Sequence, residues 1–93
     1  MIYNLEFKPK ALKEWKKLDK SVQIQFKKKL RERLEHPKVA SAKLRGYENI
    51  YKIKLRSSGF RLAYEVKDEE IVVLVLKVGK REDFYTLLEQ FIK

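Results

Sequence analysis

Cations in the second half of the chain are spaced so that several can serve one site. Lys52, Lys54 and Arg56 alternate with Tyr51, Ile53 and Leu55; Arg61 follows Ser57-Ser58-Gly59-Phe60; Arg81 comes directly after Gly79-Lys80. An arginine presents a planar fork of donors that matches a phosphate. No histidine, cysteine or carboxylate pair belongs to this set. The chain holds one histidine, His36, and no cysteine. Thiolate nucleophiles, disulfide staples and Cys zinc sites are therefore excluded. A Ser-His-Asp triad would rest on His36, which beside Pro37 reads as a helix-end cation. Metal-assisted cleavage needs carboxylates converging on a cation, and the acids lie mostly elsewhere. The chemistry left to such residues is cleavage of a phosphodiester by RNA's own 2′-OH, with Arg61 and Arg81 stabilising the charge of the pentacovalent phosphorane. A lysine can take the hydroxyl proton only in its neutral form, which neighbouring cations favour. General-base assistance supplies roughly 10²–10⁴-fold, so substrate positioning must supply much of the rest.

For these side chains to meet, they must leave one face of a sheet. Residues 51–56 and 60–66 both alternate apolar and polar, the period of a strand. If Tyr51, Ile53, Leu55, Phe60, Leu62, Tyr64 and Val66 face the core, then Lys52, Lys54 and Arg56 face away from it, together with Arg61, Ala63 and Glu65. Directly opposed residues of an antiparallel pair share a face. A two-residue loop at Ser57-Ser58 pairs Lys54 with Arg61 and Lys52 with Ala63. A four-residue loop pairs Lys54 with Ala63 and Arg56 with Arg61. A three-residue loop would set Lys54 against Leu62 and is disfavoured. Opposed like charges destabilise a sheet, so a sequence shaped by stability alone would alternate signs here. The alternatives are a solvated face using lysine against edge pairing, or a concavity that binds phosphate.

The remaining elements follow from periodicity. Residues 2–7 alternate as a strand. Pro9 suits the first turn of a helix, and Ala11, Leu12, Trp15 and Leu18 recur at helical spacing. Asp19 or Ser21 can cap a second helix with a stripe of Val22, Phe26, Leu30 and Leu34, ended by His36-Pro37. Residues 36–48 read as loop. Residues 71–76 are continuously apolar, as in a central strand covered on both faces, and Gly79 reads as its stop. Residues 82–92 form an amphipathic helix with Phe84, Leu87, Leu88 and Phe91 on one side. The expected fold is α+β with element order βααβββα: an antiparallel sheet with an N-terminal αα-hairpin packed on one face. At 93 residues the chain is expected to be a single domain, residues 1–93.

Charge is distributed unevenly. The chain carries 23 Lys+Arg against 13 Asp+Glu, a net of +10, with 44% apolar and 12% aromatic residues. That apolar share excludes disorder. Residues 1–67 hold 19 cations and 7 acids, a net of +12, and residues 68–93 hold 4 and 6, a net of −2. A polyanion would therefore meet the first two-thirds of the chain. No apolar run approaches the ~20 residues needed to span a bilayer, and no signal peptide is read, so a cytoplasmic location is expected.

Several segments together resemble the RelE toxin family. They are Lys43-Leu44-Arg45-Gly46, the run Tyr51 to Leu62, and Val78-Gly79-Lys80-Arg81-Glu82, with Ala11 to Trp15 and Lys27 to Leu30 in support. The resemblance implies a RelE-like fold and the toxin half of a type II toxin–antitoxin pair. It implies an mRNA interferase that enters the ribosomal A site and leaves a 2′,3′-cyclic phosphate and a 5′-OH, with no cofactor and no metal. Carried over by position, Lys52 and Lys54 are active-site lysines with Lys54 as base. Arg61 stabilises charge, Arg81 protonates the leaving group, and Arg45 lies near the site. The surface meeting rRNA and mRNA would comprise Arg45, Lys43, Arg56, Lys13, Lys16, Lys17 and Lys28. The partners implied are the ribosome, mRNA and an acidic RelB-like antitoxin, with no membrane. One departure stands out. The family's C-terminal tyrosine lies six residues after the arginine matching Arg81, whereas Tyr85 lies four after it, a difference of ~200° on a helix. Tyr85 can serve if the helix start moves; Tyr64 belongs by parity to the core. Three other readings compete: a gyrase-binding toxin of the related ParE type, which lacks this Lys/Arg set; a plain RNA-binding module, which normally shows stacking aromatics on its sheet; and a catalytically weak, degenerate toxin, suggested by the shifted Tyr85.

Overall fold

The computed structural model describes residues 2–80, 82 and 84–92, the last two as backbone only. Among these residues the order is β1 (Asn4–Phe7), α1 (Pro9–Lys16), α2 (Lys20–Glu35), a 3-10 turn (Ala40–Ala42), β2 (Ile50–Lys54), β3 (Phe60–Lys67), β4 (Val72–Lys80) and α3 (Phe84–Ile92). The four strands form one sheet in the order β1-β4-β3-β2. This is the expected α+β element order with one correction. β1 joins β4 in parallel, Asn4 opposite Val72 and Phe7 opposite Val75, so the sheet is mixed rather than wholly antiparallel. The two helices α1 and α2 carry the chain back to the starting end of the sheet, so that β2 runs against β3 and β1 alongside β4.

The helical hairpin covers one face. Ala11, Val22, Phe26 and Leu30 are buried against Tyr51, Ile53, Leu55, Leu62, Tyr64, Val66, Val73, Val75 and Val78. Phe7, Trp15 and Phe26 pack ring to ring at centroid distances of 5.4 and 6.1 Å. Asp19 occupies the N-cap of α2, but its side chain makes no capping bond. Leu12, expected in the stripe, is exposed.

A second correction concerns the other face. It is not left open, because α3 crosses it. Phe84 and Leu88 bury Leu44, Ile50, Ala63 and Leu76 there, making a second apolar cluster. Leu87, expected on the buried side of this helix, is 40% exposed, and the side chain of Phe91 lies outside the described residues. The sheet therefore sits between two helical layers.

β4 serves both cores through a bulge. Tyr64 opposes Val75 while Ala63 opposes Lys77, which leaves Leu76 as the extra residue. Leu76 and Lys77 both turn toward the α3 side, and alternation resumes with Val78 in the hairpin core and Gly79 opposite Arg61. The strand thus runs through Gly79 to Lys80 instead of stopping at it. Nor does it begin at Ile71, which adopts φ 57° in the preceding turn. That left-handed conformation is costly for a β-branched residue, and here the Ile71 carbonyl accepts the Asn4 N–H at 2.9 Å, where the pairing of β1 with β4 begins.

Beyond Val75, β4 loses its β1 neighbour and α1 takes its place. Glu14 accepts the Val78 N–H at 3.1 Å and the Lys77 ammonium at 2.7 Å. One carboxylate thereby occupies an edge donor and neutralises a lysine that is only 5% exposed.

At the opposite end of the sheet, Asp68 accepts from Tyr3 at 2.7 Å and pairs with Lys38. Donation from Lys38, then from Tyr3, holds the Asp68 carboxyl below its ordinary range, and the bond to Asp68 raises Lys38. A depressed acid contributes stability above its unfolded value, and that contribution is lost as pH falls through its folded value; a raised lysine contributes below its unfolded value. The cluster thus stabilises the fold between about pH 4 and pH 10. The urea midpoint of Asp68→Asn is expected to fall below wild type at pH 7, with the gap narrowing as pH falls below the ordinary aspartate range.

Candidate active site

The strand register brings the predicted cations together. Lys54 directly opposes Arg61 and Lys52 opposes Ala63, as in a two-residue loop at Ser57-Ser58. Leu55 and Phe60 close the hairpin, the Leu55 N–H donating to the Phe60 carbonyl at 2.9 Å, and Gly59 takes the turn at φ 76°. Two rows then cross the sheet on the face away from the hairpin: Lys52–Ala63–Lys77 and Lys54–Arg61–Gly79. The residues filling the gaps are small. Ala63 is fully buried beneath α3, and Gly79 leaves the end of the second row without a side chain.

The helix α3 adds the residue that organises these charges. The Tyr85 hydroxyl accepts a hydrogen bond from Arg61 Nη1 at 2.8 Å. The Arg61 guanidinium lies 5.5 Å from the centroid of the Tyr85 ring, and the Lys52 ammonium lies 6.0 Å from it. Each cation meets the negative face of the ring, an attraction of about 0.5–1 kcal/mol at exposed sites. That attraction offsets part of the repulsion that would otherwise drive the two cations apart. Phe84 anchors the arrangement from below, its ring edge-on to Tyr85 at 5.2 Å. Tyr85 itself is 36% exposed, open to a ligand. Its position four residues after Arg81 is therefore compatible with joining Lys52 and Arg61.

The other predicted residues divide. Arg45 lines a cleft of about 330 Å³ beside the cluster, shared with Tyr47, Lys52, Tyr85 and Glu89. Lys43 bridges Tyr51 through its backbone, one residue from Lys52. Lys54 is exposed and Arg61 half-buried. Arg56 leaves the strand and is exposed in the turn after it. Lys17 lines a hollow with Phe60 and Gly79, at the end of the sheet that holds Arg61. Lys13, Lys16 and Lys28 are exposed on α1 and α2, in the layer on the opposite side of the sheet. Arg81 lies outside the described residues. Tyr64 is in the core, where burial pushes its hydroxyl pKa up. Among the described residues no three of His, Asp or Glu gather as metal ligands.

Tyr47 and Glu89 escaped the sequence reading. Both enter the site only because α3 crosses this face. The buried Ala63 and Ile50, uncharged beside Lys52, Lys54, Arg61 and Glu65 on that face, were the available signs that a helix lies there.

Tyr85→Phe removes only the acceptor for Arg61. It is expected to slow RNA cleavage about tenfold while leaving the thermal midpoint in place, since an exposed hydroxyl contributes little to stability. Single-turnover cleavage and a melting curve on the same preparation check both halves.

Comparison with known proteins gives the family. The profile described as "ParE toxin of type II toxin-antitoxin system, parDE" matches residues 5–85. The chain belongs to the RelE/ParE family of type II toxins. Within the family its likeness is to RelE. It is 58% identical over 82 residues to the mRNA interferase toxin RelE of Escherichia coli K12, covering 88% of this chain and 86% of the relative. A doubly arginine-substituted E. coli RelE in the free state superposes with a TM-score of 0.90 at 52% identity over the whole of both chains. The toxin in the intact E. coli RelBE toxin–antitoxin complex matches with a TM-score of 0.84 at 57% identity, over 86% of this chain and 98% of that one.

Proposed function

We propose that this protein is an mRNA interferase, the toxin of a type II pair, that cuts mRNA in the ribosomal A site. The observation that carries the reading is the convergence of Lys52, Lys54 and Arg61 on one sheet face, with Tyr85 hydrogen-bonded to Arg61. The named relatives are mRNA interferases, and one of their structures holds an antitoxin. A gyrase-directed mode is not favoured, because the likeness is to RelE at 52–58% identity across most of the chain.

In the reaction the ribose 2′-OH attacks the adjacent phosphorus and the P–O5′ bond breaks, leaving a cyclic phosphate and a 5′-OH. Lys54, exposed beside Arg61, is the candidate to accept the hydroxyl proton. Arg61 places its guanidinium where negative charge grows on the phosphorane oxygens. Lys52 holds the phosphate, and Tyr85 orients both Arg61 and the sugar or base beside it. Arg81 is proposed to give the proton to the leaving oxygen. Lys13, Lys16, Lys17, Lys28, Lys43, Arg45 and Arg56 meet rRNA and mRNA as a diffuse basic surface, whose contribution weakens with salt. Residues 1–93 act as one toxin domain, silenced by an acidic RelB-like antitoxin drawn to that surface. Among the described residues no helix is long and apolar enough to cross a membrane, and the proposed substrate assigns the protein to the cytoplasm.

The test is primer extension on translating ribosomes with purified protein. Cuts within the A-site codon, with 5′-OH ends and far weaker cutting of free RNA, are expected. Inhibition of DNA supercoiling by gyrase without any RNA cut would overturn the reading.

A further inference from the structure

We infer that Arg33, on α2, is a positioning residue for the reaction, acting on Lys52 through the backbone of β2. This inference rests on the proposed nuclease reading. Arg33 sits within a helix that shows solvent many cations, yet it is half-buried and aimed at the sheet. Its Nη1 donates to the Lys52 carbonyl at 3.1 Å and to the Tyr64 hydroxyl at 2.9 Å. The Tyr64 hydroxyl in turn donates to the Pro37 carbonyl at 2.7 Å. Tyr64 is fully buried and stacked on Tyr51 at 5.7 Å, so the anchor of this chain of bonds is immobile.

The register explains why Lys52 needs such a partner. Hydrogen-bonded and non-bonded pairs alternate along an antiparallel ladder. The Leu55–Phe60 and Asn49–Val66 bonds fix the odd-numbered residues of β2 as the bonded ones. The carbonyls of Ile50, Lys52 and Lys54 therefore look out from the free edge of the sheet. Leu44 covers the first, donating its N–H at 2.9 Å, and Arg33 covers the second. The third has no partner among the described residues. Arg33 is thus the last contact on the free edge of the strand before Lys54, and it helps hold the peptide plane that aims the Lys52 side chain toward Tyr85. Displacement of a reacting group by an ångström is enough to cost up to about 10²-fold in rate. The guanidinium never reaches the RNA; it lies on the hairpin side of the strand, while Lys52 points to the other.

A structural clamp and a positioning residue predict different couplings. Arg33→Met is expected to lower the saturated single-turnover cleavage rate about tenfold, with the half-saturating concentration unchanged within about twofold. In a Lys52→Met background the same change should cost less than about twofold, because the group being aimed is gone. Arg33→Lys, which keeps a donor within reach of the carbonyl, should recover part of the rate. It also carries the test should the methionine variant fail to fold. An independent readout is the NMR shift of the Lys52 ε-methylene, which the Tyr85 ring current displaces. It should move toward the random-coil value in Arg33→Met and remain in place in Lys13→Met. Equal loss in the wild-type and Lys52→Met backgrounds, or an unmoved Lys52 resonance, overturns the proposal. If the wild-type protein makes no cut at all, the nuclease reading fails, while the resonance still decides whether Arg33 aims Lys52.

Discussion

Arg61→Ala is expected to abolish codon cleavage on the ribosome while leaving a folded protein. Arg61 is half-buried, lies directly opposite Lys54, and contributes one described hydrogen bond, to Tyr85 at 2.8 Å. Its loss therefore opens no cavity. In the reaction, however, its fork would supply paired donors to oxygens that gain charge as the phosphorane forms. Deleting such a group costs about 10²–10³-fold for a single donor and about 10³–10⁵-fold for a transition-state arginine, so a loss near 10³-fold is expected. Arg61→Lys should restore little of it, since an ammonium cannot reproduce the planar bidentate contact. Single-turnover cleavage beside a melting curve decides the matter. A rate within tenfold of wild type would remove Arg61 from the chemistry, and a collapsed melting curve would make it structural.

Phe84→Ala is expected to have the largest effect on stability. The ring is 1% exposed and closes the α3-side core over Ala63 and Leu76. Truncating a buried Phe to Ala costs about 3–5 kcal/mol, a large share of the 5–15 kcal/mol that keeps a domain folded. For a chain of this size that corresponds to a fall in thermal midpoint of about 15–25 °C. The same substitution also removes the support beneath Tyr85. Cleavage measured at low temperature, where the variant is still folded, should therefore resemble that of Tyr85→Phe or be weaker. Retention of full activity with a lowered midpoint would mean that Tyr85 keeps its place without α3 docking.

The site's sheet face was legible because strand parity is rigid. Once Tyr51, Ile53 and Leu55 are assigned to the core, Lys52 and Lys54 have nowhere else to go, and the short turn leaves few registers. The hairpin was legible for a similar reason: the Val22, Phe26, Leu30 stripe can bury itself in only one orientation. The side on which α3 packs was not. An amphipathic helix states that it has a partner but not which face of the sheet supplies it, and only Ala63 and Ile50 carried that information. The parallel pairing of β1 was equally hidden, since it joins segments 68 residues apart and no local pattern distinguishes its direction. Arg33 was lost among the many cations of α1 and α2, although its spacing, three residues after Leu30 and seven after Phe26, sets its half-buried guanidinium on the buried stripe.

The extra residue at Leu76 also bears on how this toxin can diverge. Upstream of it Val73 and Val75 belong to one core; downstream Val78 joins that core and Lys77 and Gly79 are on the other side. Removing Leu76 would restore plain alternation and leave Lys77, Val78 and Gly79 on the faces they now hold, whereas one more residue inserted before Lys77 would invert every later position of the strand, driving an ammonium into oil and a valine into the space beside Arg61. The strand can thus lose its extra residue without reversing its faces, but it cannot gain another before Lys77. Among natural variants of this chain, insertions should accumulate in the turns at either end of β4 and be purged between Val75 and Val78.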